Sequence, residues 1–113
     1  MRSVTRIIFL DEKDQKFFGE GPCRLLKGVK ETGSLRASAM EMGMSYTKAL
    51  KLLNHAEKAL GCPLTMRAAG GKDGGGSSLT PEGEELIRRY EAYRDACVQA
   101  NQKLFCEFFP DQE

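Results

Sequence analysis

The chain has 113 residues, 41% hydrophobic and 29% charged with a net charge of +1, the composition of one water-soluble globular domain. It holds no run of about 18 apolar residues for a membrane helix, and Arg2 and Arg6 precede no apolar core or cleavage site of a secretory signal, so a cytoplasmic setting is expected. Cys23, Cys62, Cys97 and Cys106 form no CxxC pair and His55 is the one histidine, which argues against a zinc site and reads as free, mostly buried thiols with no cofactor.

The β-branched and aromatic run Arg6–Leu10 and the short run Lys16–Gly19 flank the polar stretch Asp11-Glu12-Lys13-Asp14-Gln15, which predicts a hairpin within residues 1–20 although the loop lacks Asn-Gly or Asp-Gly chemistry. From Pro22, the spacing of Leu25, Leu26 and Val29 predicts a helix closing near Thr32-Gly33, with Lys27, Lys30 and Glu31 on its other face. Ser34 caps a second helix to about Met42, with Leu35, Ala39 and Met42 on one side and Gly43 as a left-handed stop. Ser45 caps a third, where Tyr46, Ala49, Leu50, Leu53, Ala56 and Leu60 keep the helical period until Gly61 and Pro63 end it. Residues 21–61 are thus a three-helix motif.

Leu64–Ala68 reads as a strand, Gly70 to Gly76 as a glycine-rich loop, and Ser77–Leu79 as the returning strand, so residues 64–79 form a wing. Thr80-Pro81 is an N-cap followed by proline, and Glu82, Glu84 and Glu85 suit the positive end of the helix that follows. That helix covers residues 80–108 and carries Leu86, Tyr90, Tyr93, Cys97, Ala100 and Leu104 as a stripe suited to dimerisation. The fold class is therefore mainly α with small β hairpins: one winged helix-turn-helix domain with a long C-terminal dimerisation helix.

The charge is unevenly placed. Ser45 to Lys72 holds five bases (Lys48, Lys51, Lys58, Arg67, Lys72) against Glu57, a balance of +4, whereas Glu82 to Asp95 holds three bases and five acids, a balance of −2. Helix starts favour acids, yet the helix at Ser45 leads with Lys48 and Lys51, a conflict resolved if a phosphate backbone approaches that end. Ser45, Tyr46, Thr47, Lys48 and Lys51 are the candidates for base-edge and phosphate contacts, because recognition helices insert their first turns into the major groove. Arg67 and Lys72 would reach the backbone or minor groove from the wing, and Ser34 and Arg36 would hold a phosphate from the preceding helix. Asn54, His55 and Lys58 lie farther along the outward face, toward phosphate or solvent.

Other chemistries fit less well. A phosphate-cradling P-loop needs lysine followed by Ser or Thr before a helix, and Lys72 is followed by Asp73 and a strand. No nucleophile–base pair has a recognisable spacing, so no catalytic residues are expected. Two rivals remain open at this level: a protein-interaction or effector-binding dimer that keeps the fold without reading DNA, and a metal or redox sensor working through the cysteines.

Ser34 to Arg67 resembles the winged helix-turn-helix of LysR-type bacterial regulators, with the small pair at Ser38-Ala39 and the steps Ala56-Glu57, Leu60-Gly61 and Pro63-Leu64. Across Thr5 to Tyr93 the chain more closely resembles the N-terminal DNA-binding domain of molybdate-responsive (ModE-type) regulators. The residues that carry this are GMSYTKAL, the wing run that begins at Arg67 and passes through GGKDGGGSS, and LTPEG. The resemblance implies a homodimer, joined partly by the long helix, that binds double-stranded DNA and regulates transcription of prokaryotic operons. In that family molybdate is sensed by additional C-terminal oxyanion-binding domains; these 113 residues leave no room for one, so a separate sensor or effector protein joins the expected partners. Ser38 stands where the family has a small alanine, a change a tight helix pair should tolerate.

Overall fold

The computed structural model describes residues 1–67 and 76–111. Two short strands, β1 (Phe9–Leu10) and β2 (Lys16–Phe18), open the chain, followed by α1 (Glu20–Thr32), α2 (Leu35–Glu41) and α3 (Tyr46–Leu60). The wing strands β3 (Thr65–Arg67) and β4 (Ser77–Leu79) then lead into α4 (Pro81–Phe108). Each pair of strands is an antiparallel two-stranded sheet.

The first turn is built by Asp11, whose carboxylate accepts from the amides of Lys13 at 2.8 Å and Gln15 at 3.0 Å. That side-chain turn supplies what Asn-Gly would have supplied, with Asp14 taking the left-handed conformation at φ 61°. Gly33, Gly43 and Gly61 take positive φ at the three helix ends. Ser34, Ser45 and Thr80 cap α2, α3 and α4 by accepting from Ala37, Lys48 and Gly83 amides. α1 begins at Glu20, two residues before the expected Pro22, and β3 spans Thr65–Arg67 within the expected Leu64–Ala68, with Ala68 outside the described residues.

The core gathers Phe18 with Leu25, Leu26 and Val29 of α1, Leu35 and Ala39 of α2, Ala49, Leu53 and Ala56 of α3, Leu64, and Ile87 and Tyr90 of α4. Two close backbone approaches set its geometry. A Cβ on Gly28 would fall 2.0 Å from Ser38 Oγ, so α1 and α2 cross where α1 has no side chain. The Ser38 hydroxyl, fully buried, donates to the Leu25 carbonyl at 2.7 Å. A Cβ on Gly83 would fall 2.3 Å from the Leu64 carbonyl, so α4 starts directly against the wing.

Tyr90 ties the N-terminal hairpin to α4. Its ring meets Phe9 and Phe18 edge-on, at centroid distances of 5.5 and 5.1 Å, and its hydroxyl shares one proton between the Ile7 carbonyl at 2.9 Å and Glu20 at 3.1 Å. Burial, reinforced by the adjacent Glu20 carboxylate, pushes that hydroxyl up to about 12. Arg94 donates to Glu20 at 2.7 Å and holds its carboxyl below the usual glutamate value.

One expectation needs correction. Only Cys23 is buried, with its thiol pushed up to about 11 by burial; Cys62 and Cys97 are half-buried and Cys106 is exposed. Free cysteines are as a class mostly buried, but Cys97 and Cys106 lie on α4 beyond its buried residues and Cys62 lies in the turn after α3. The α4 stripe is uneven: Tyr90 is buried, whereas Tyr93, which meets the Phe9 ring on one side, and Leu104 are about half exposed.

Gly28→Ala and Gly83→Ala should each lower stability by about 1–3 kcal/mol, since added volume meets packed atoms in both cases; denaturant melts check this. Tyr90 titrates higher in the fold than in the unfolded chain, so the stability it confers is intact below about pH 10 and falls as pH rises toward 12. Tyr90→Phe should flatten stability over that alkaline window, leaving the part due to Cys23.

Candidate nucleic-acid interface

Three elements carry the expected residues. The first is the start of α3. Ser45 Oγ accepts from the Lys48 amide at 3.1 Å and the Ser45 carbonyl accepts from Ala49 at 3.0 Å. The Tyr46 and Thr47 amides have no partner among the described residues, so the helix end presents two donors along its axis. Ala49, Leu53 and Ala56 face the core, which turns Thr47, Lys48 and Lys51 outward, and all three are exposed.

The second is the start of α2. Ser34 is half-buried and its hydroxyl accepts from Ala37 at 3.0 Å, so its observed role is capping. Arg36, the second residue of α2, is exposed and lies over the Tyr46 ring at 4.2 Å from the centroid. Tyr46 packs partly on the core and offers its other face to this guanidinium. The ring is therefore a platform that fixes Arg36 beside the α3 tip, worth about 0.5–1 kcal/mol at an exposed site. Sequence spacing does not reveal this pairing because it joins two helices across the Gly43 turn.

The third is the wing. Arg67 is exposed and pairs in register with Ser77, whose amide donates to the Gly33 carbonyl at 2.7 Å. One backbone bond thus ties the wing to the α1–α2 turn, next to Ser34 in the chain. Thr80 reinforces the joint: its hydroxyl donates to the Pro63 carbonyl at 2.7 Å and its amide to the Leu64 carbonyl at 3.0 Å. Lys72 and the glycine-rich loop, apart from Gly76, lie outside the described residues.

The charge of these residues is uncompensated. Among the described residues, Lys27, Lys30, Arg88 and Arg94 pair with acids, whereas Arg36, Lys48, Lys51 and Arg67 make no ion pair. Glu57, the acid of the basic segment, is occupied elsewhere, accepting from the Leu64 amide at 2.7 Å. His55 departs from its expected outward position. It is half-buried, with Nε2 3.0 Å from Asp11 Oδ2, and this interaction holds the Asp11 carboxyl below its usual range. The N-terminal hairpin covers the middle of α3, so His55 belongs to the joint between them, while Asn54 and Lys58 stay exposed.

A helix-turn-helix whose second helix presents a basic tip, with a hairpin braced beside it, defines the winged helix-turn-helix class. The chain belongs to the lysR family of bacterial regulatory helix-turn-helix proteins, whose model matches residues 23–84. It is 39% identical over 103 residues to the DNA-binding transcriptional dual regulator ModE of Escherichia coli K12, covering 89% of this chain and 37% of that protein. It is 44% identical over 68 residues to the molybdenum-pterin-binding protein MopB of Rhodobacter capsulatus, covering 60% of this chain and 25% of that one. The chain thus spans about a quarter to somewhat over a third of these relatives. In fold it is similar to the protein of the CbnR_DBD–DNA complex, with a TM-score of 0.59 at 17% identity over 77% of this chain and 94% of that one.

A double-mutant cycle of Arg36→Ala and Tyr46→Ala, read by denaturant unfolding, should return a coupling of about 0.5–1 kcal/mol. Tyr46→Phe should preserve it, since the ring face is retained.

Proposed function

We propose that this chain is the DNA-binding module of a ModE-type transcription regulator, working without catalysis in the cytoplasm as a homodimer. The observation that carries the reading is the grouping of Arg36, Lys48, Lys51 and Arg67, all without an acidic partner, around the two open amides of the α3 tip. An array of unpaired cations around a helix start is complementary to a phosphate backbone, and releases counterions when it meets one.

In this reading the first turn of α3 enters the major groove. Thr47, Lys48 and Lys51 reach base edges and phosphate, and Arg36 on its tyrosine platform holds the backbone at the groove edge. Arg67, with Lys72 beyond it, meets the flanking backbone or minor groove. Two copies related by a two-fold axis would read half-sites about 34 Å apart, or a multiple of that. The open stripe of α4, with Tyr93 and Leu104, is the surface we assign to dimerisation, and a separate sensor or effector protein is a further candidate partner. The names of the relatives agree with this reading, as does the absence, among the described residues, of a helix long and apolar enough to cross a membrane.

Lys48→Ala with Lys51→Ala should weaken binding to duplex DNA and reduce the slope of log affinity against log salt by about 0.9 for each phosphate no longer neutralised. Fluorescence anisotropy at several salt concentrations measures both. Unchanged affinity and slope would remove α3 from the interface.

A further inference from the structure

The first eight residues are the stretch whose backbone the fold leaves open. Residues 1–8 make no backbone–backbone hydrogen bond with any described residue. They are nonetheless held along the middle of α4, from Tyr90 to Gln102. Ser3 Oγ donates to Asn101 at 3.2 Å, Gln102 donates to the Ser3 carbonyl at 3.1 Å, and the Tyr90 hydroxyl lies 2.9 Å from the Ile7 carbonyl. The helix from Tyr90 to Asn101 rises about 16 Å and an extended Ser3–Ile7 spans about 13 Å, so the segment runs nearly straight, antiparallel to α4. Its burial alternates: Ser3, Thr5 and Ile7 are half-buried, and Arg2, Val4, Arg6 and Ile8 are exposed.

Both carbonyls engaged by α4 belong to odd-numbered residues. In a strand, the N–H and C=O groups of alternate residues point to opposite edges. The even-numbered residues therefore leave a row of unused donors and acceptors on the other edge, beside Val4 at 67% and Ile8 at 50% exposure. Such an edge is a template for another strand.

We propose that this edge pairs with the same edge of a second copy, forming a two-fold antiparallel ribbon centred on Thr5. The inference rests on the homodimer reading and adds a second interface to it. Charge selects the register. Centred on Val4, the ribbon sets Arg2 against Arg6 of its copy; centred on Arg6, it sets Arg6 against itself. Centred on Thr5, it places Arg2 opposite Ile8 and Val4 opposite Arg6, separating the like charges. That register also puts Thr5, which is half-buried, opposite its own copy. Thr5 lies between the Asn101 and Tyr90 anchor points, so the same axis passes the open stripe of α4 and the two surfaces are continuous.

In this ribbon Thr5 is a non-hydrogen-bonded pair, where Cβ atoms come close enough to bridge. A Thr5→Cys variant of the intact chain, oxidised mildly, should cross-link to itself, with the bridge located by peptide mapping. Arg6→Pro removes a ladder donor and should raise the dimer dissociation constant about tenfold or more in analytical ultracentrifugation, with helical circular dichroism unchanged. A dimeric protein in which the cross-link is missing, or in which Arg6→Pro leaves the dissociation constant unchanged, overturns the ribbon and leaves the homodimer standing. An unmodified chain that is monomeric at every concentration overturns both.

Discussion

The outward face of this molecule depends on how closely α2 can sit on α1. Gly28 leaves a gap in the α1 surface, and Ser38 fills it so tightly that even one added carbon would collide with its hydroxyl. The hydroxyl donates to the Leu25 carbonyl, so the polar group buried at the crossing is satisfied. Every later position follows from this seat. α2 carries Ser34 and Arg36, the Gly43 turn launches α3 from its end, and the Tyr46 ring swings under Arg36.

A second set of short-range bonds keeps the basic tip in place relative to its surroundings. Asp11 works twice, closing its own turn and meeting His55 in the middle of α3. Glu57 bonds the Leu64 amide, Thr80 bonds the Pro63 carbonyl, and Ser77 bonds the Gly33 carbonyl. Asp11 of the hairpin and Glu57 of α3 thereby serve as struts. These two acids are occupied within the scaffold, while Arg36, Lys48, Lys51 and Arg67 make no ion pair among the described residues. This arrangement explains how a chain of net charge +1 presents a basic face.

Much of the fold is legible in the residues because helix ends are local chemistry. Ser34, Ser45 and Thr80 are recognisable caps, and Gly33, Gly43 and Gly61 recognisable stops, since the capping bonds lie within three residues of the cap. The candidate site is legible in part for the same reason: the first turn of α3 is marked by lysines where carboxylates are favoured. The place of His55 is not, because helical period assigns a face and cannot say which other element covers it. Tyr46 reads in the sequence as a DNA-facing residue because its platform role requires Arg36, ten positions away, to arrive over its ring. The α4 stripe is apolar along its length, yet only its first turns lie against the core.

The amino-acid sequence by itself determined the elements, their order, their ends and the sign of the charge on α3, all properties of neighbours along the chain. Tertiary structure alone decided which cations remain unpaired, which face the hairpin covers, where the wing is anchored, and which strand edge stays open. Those depend on pairs such as Gly28 with Ser38, Gly33 with Ser77 and Asp11 with His55. No local propensity encodes them, because the energy of each such pair exists only once the chain has folded back on itself.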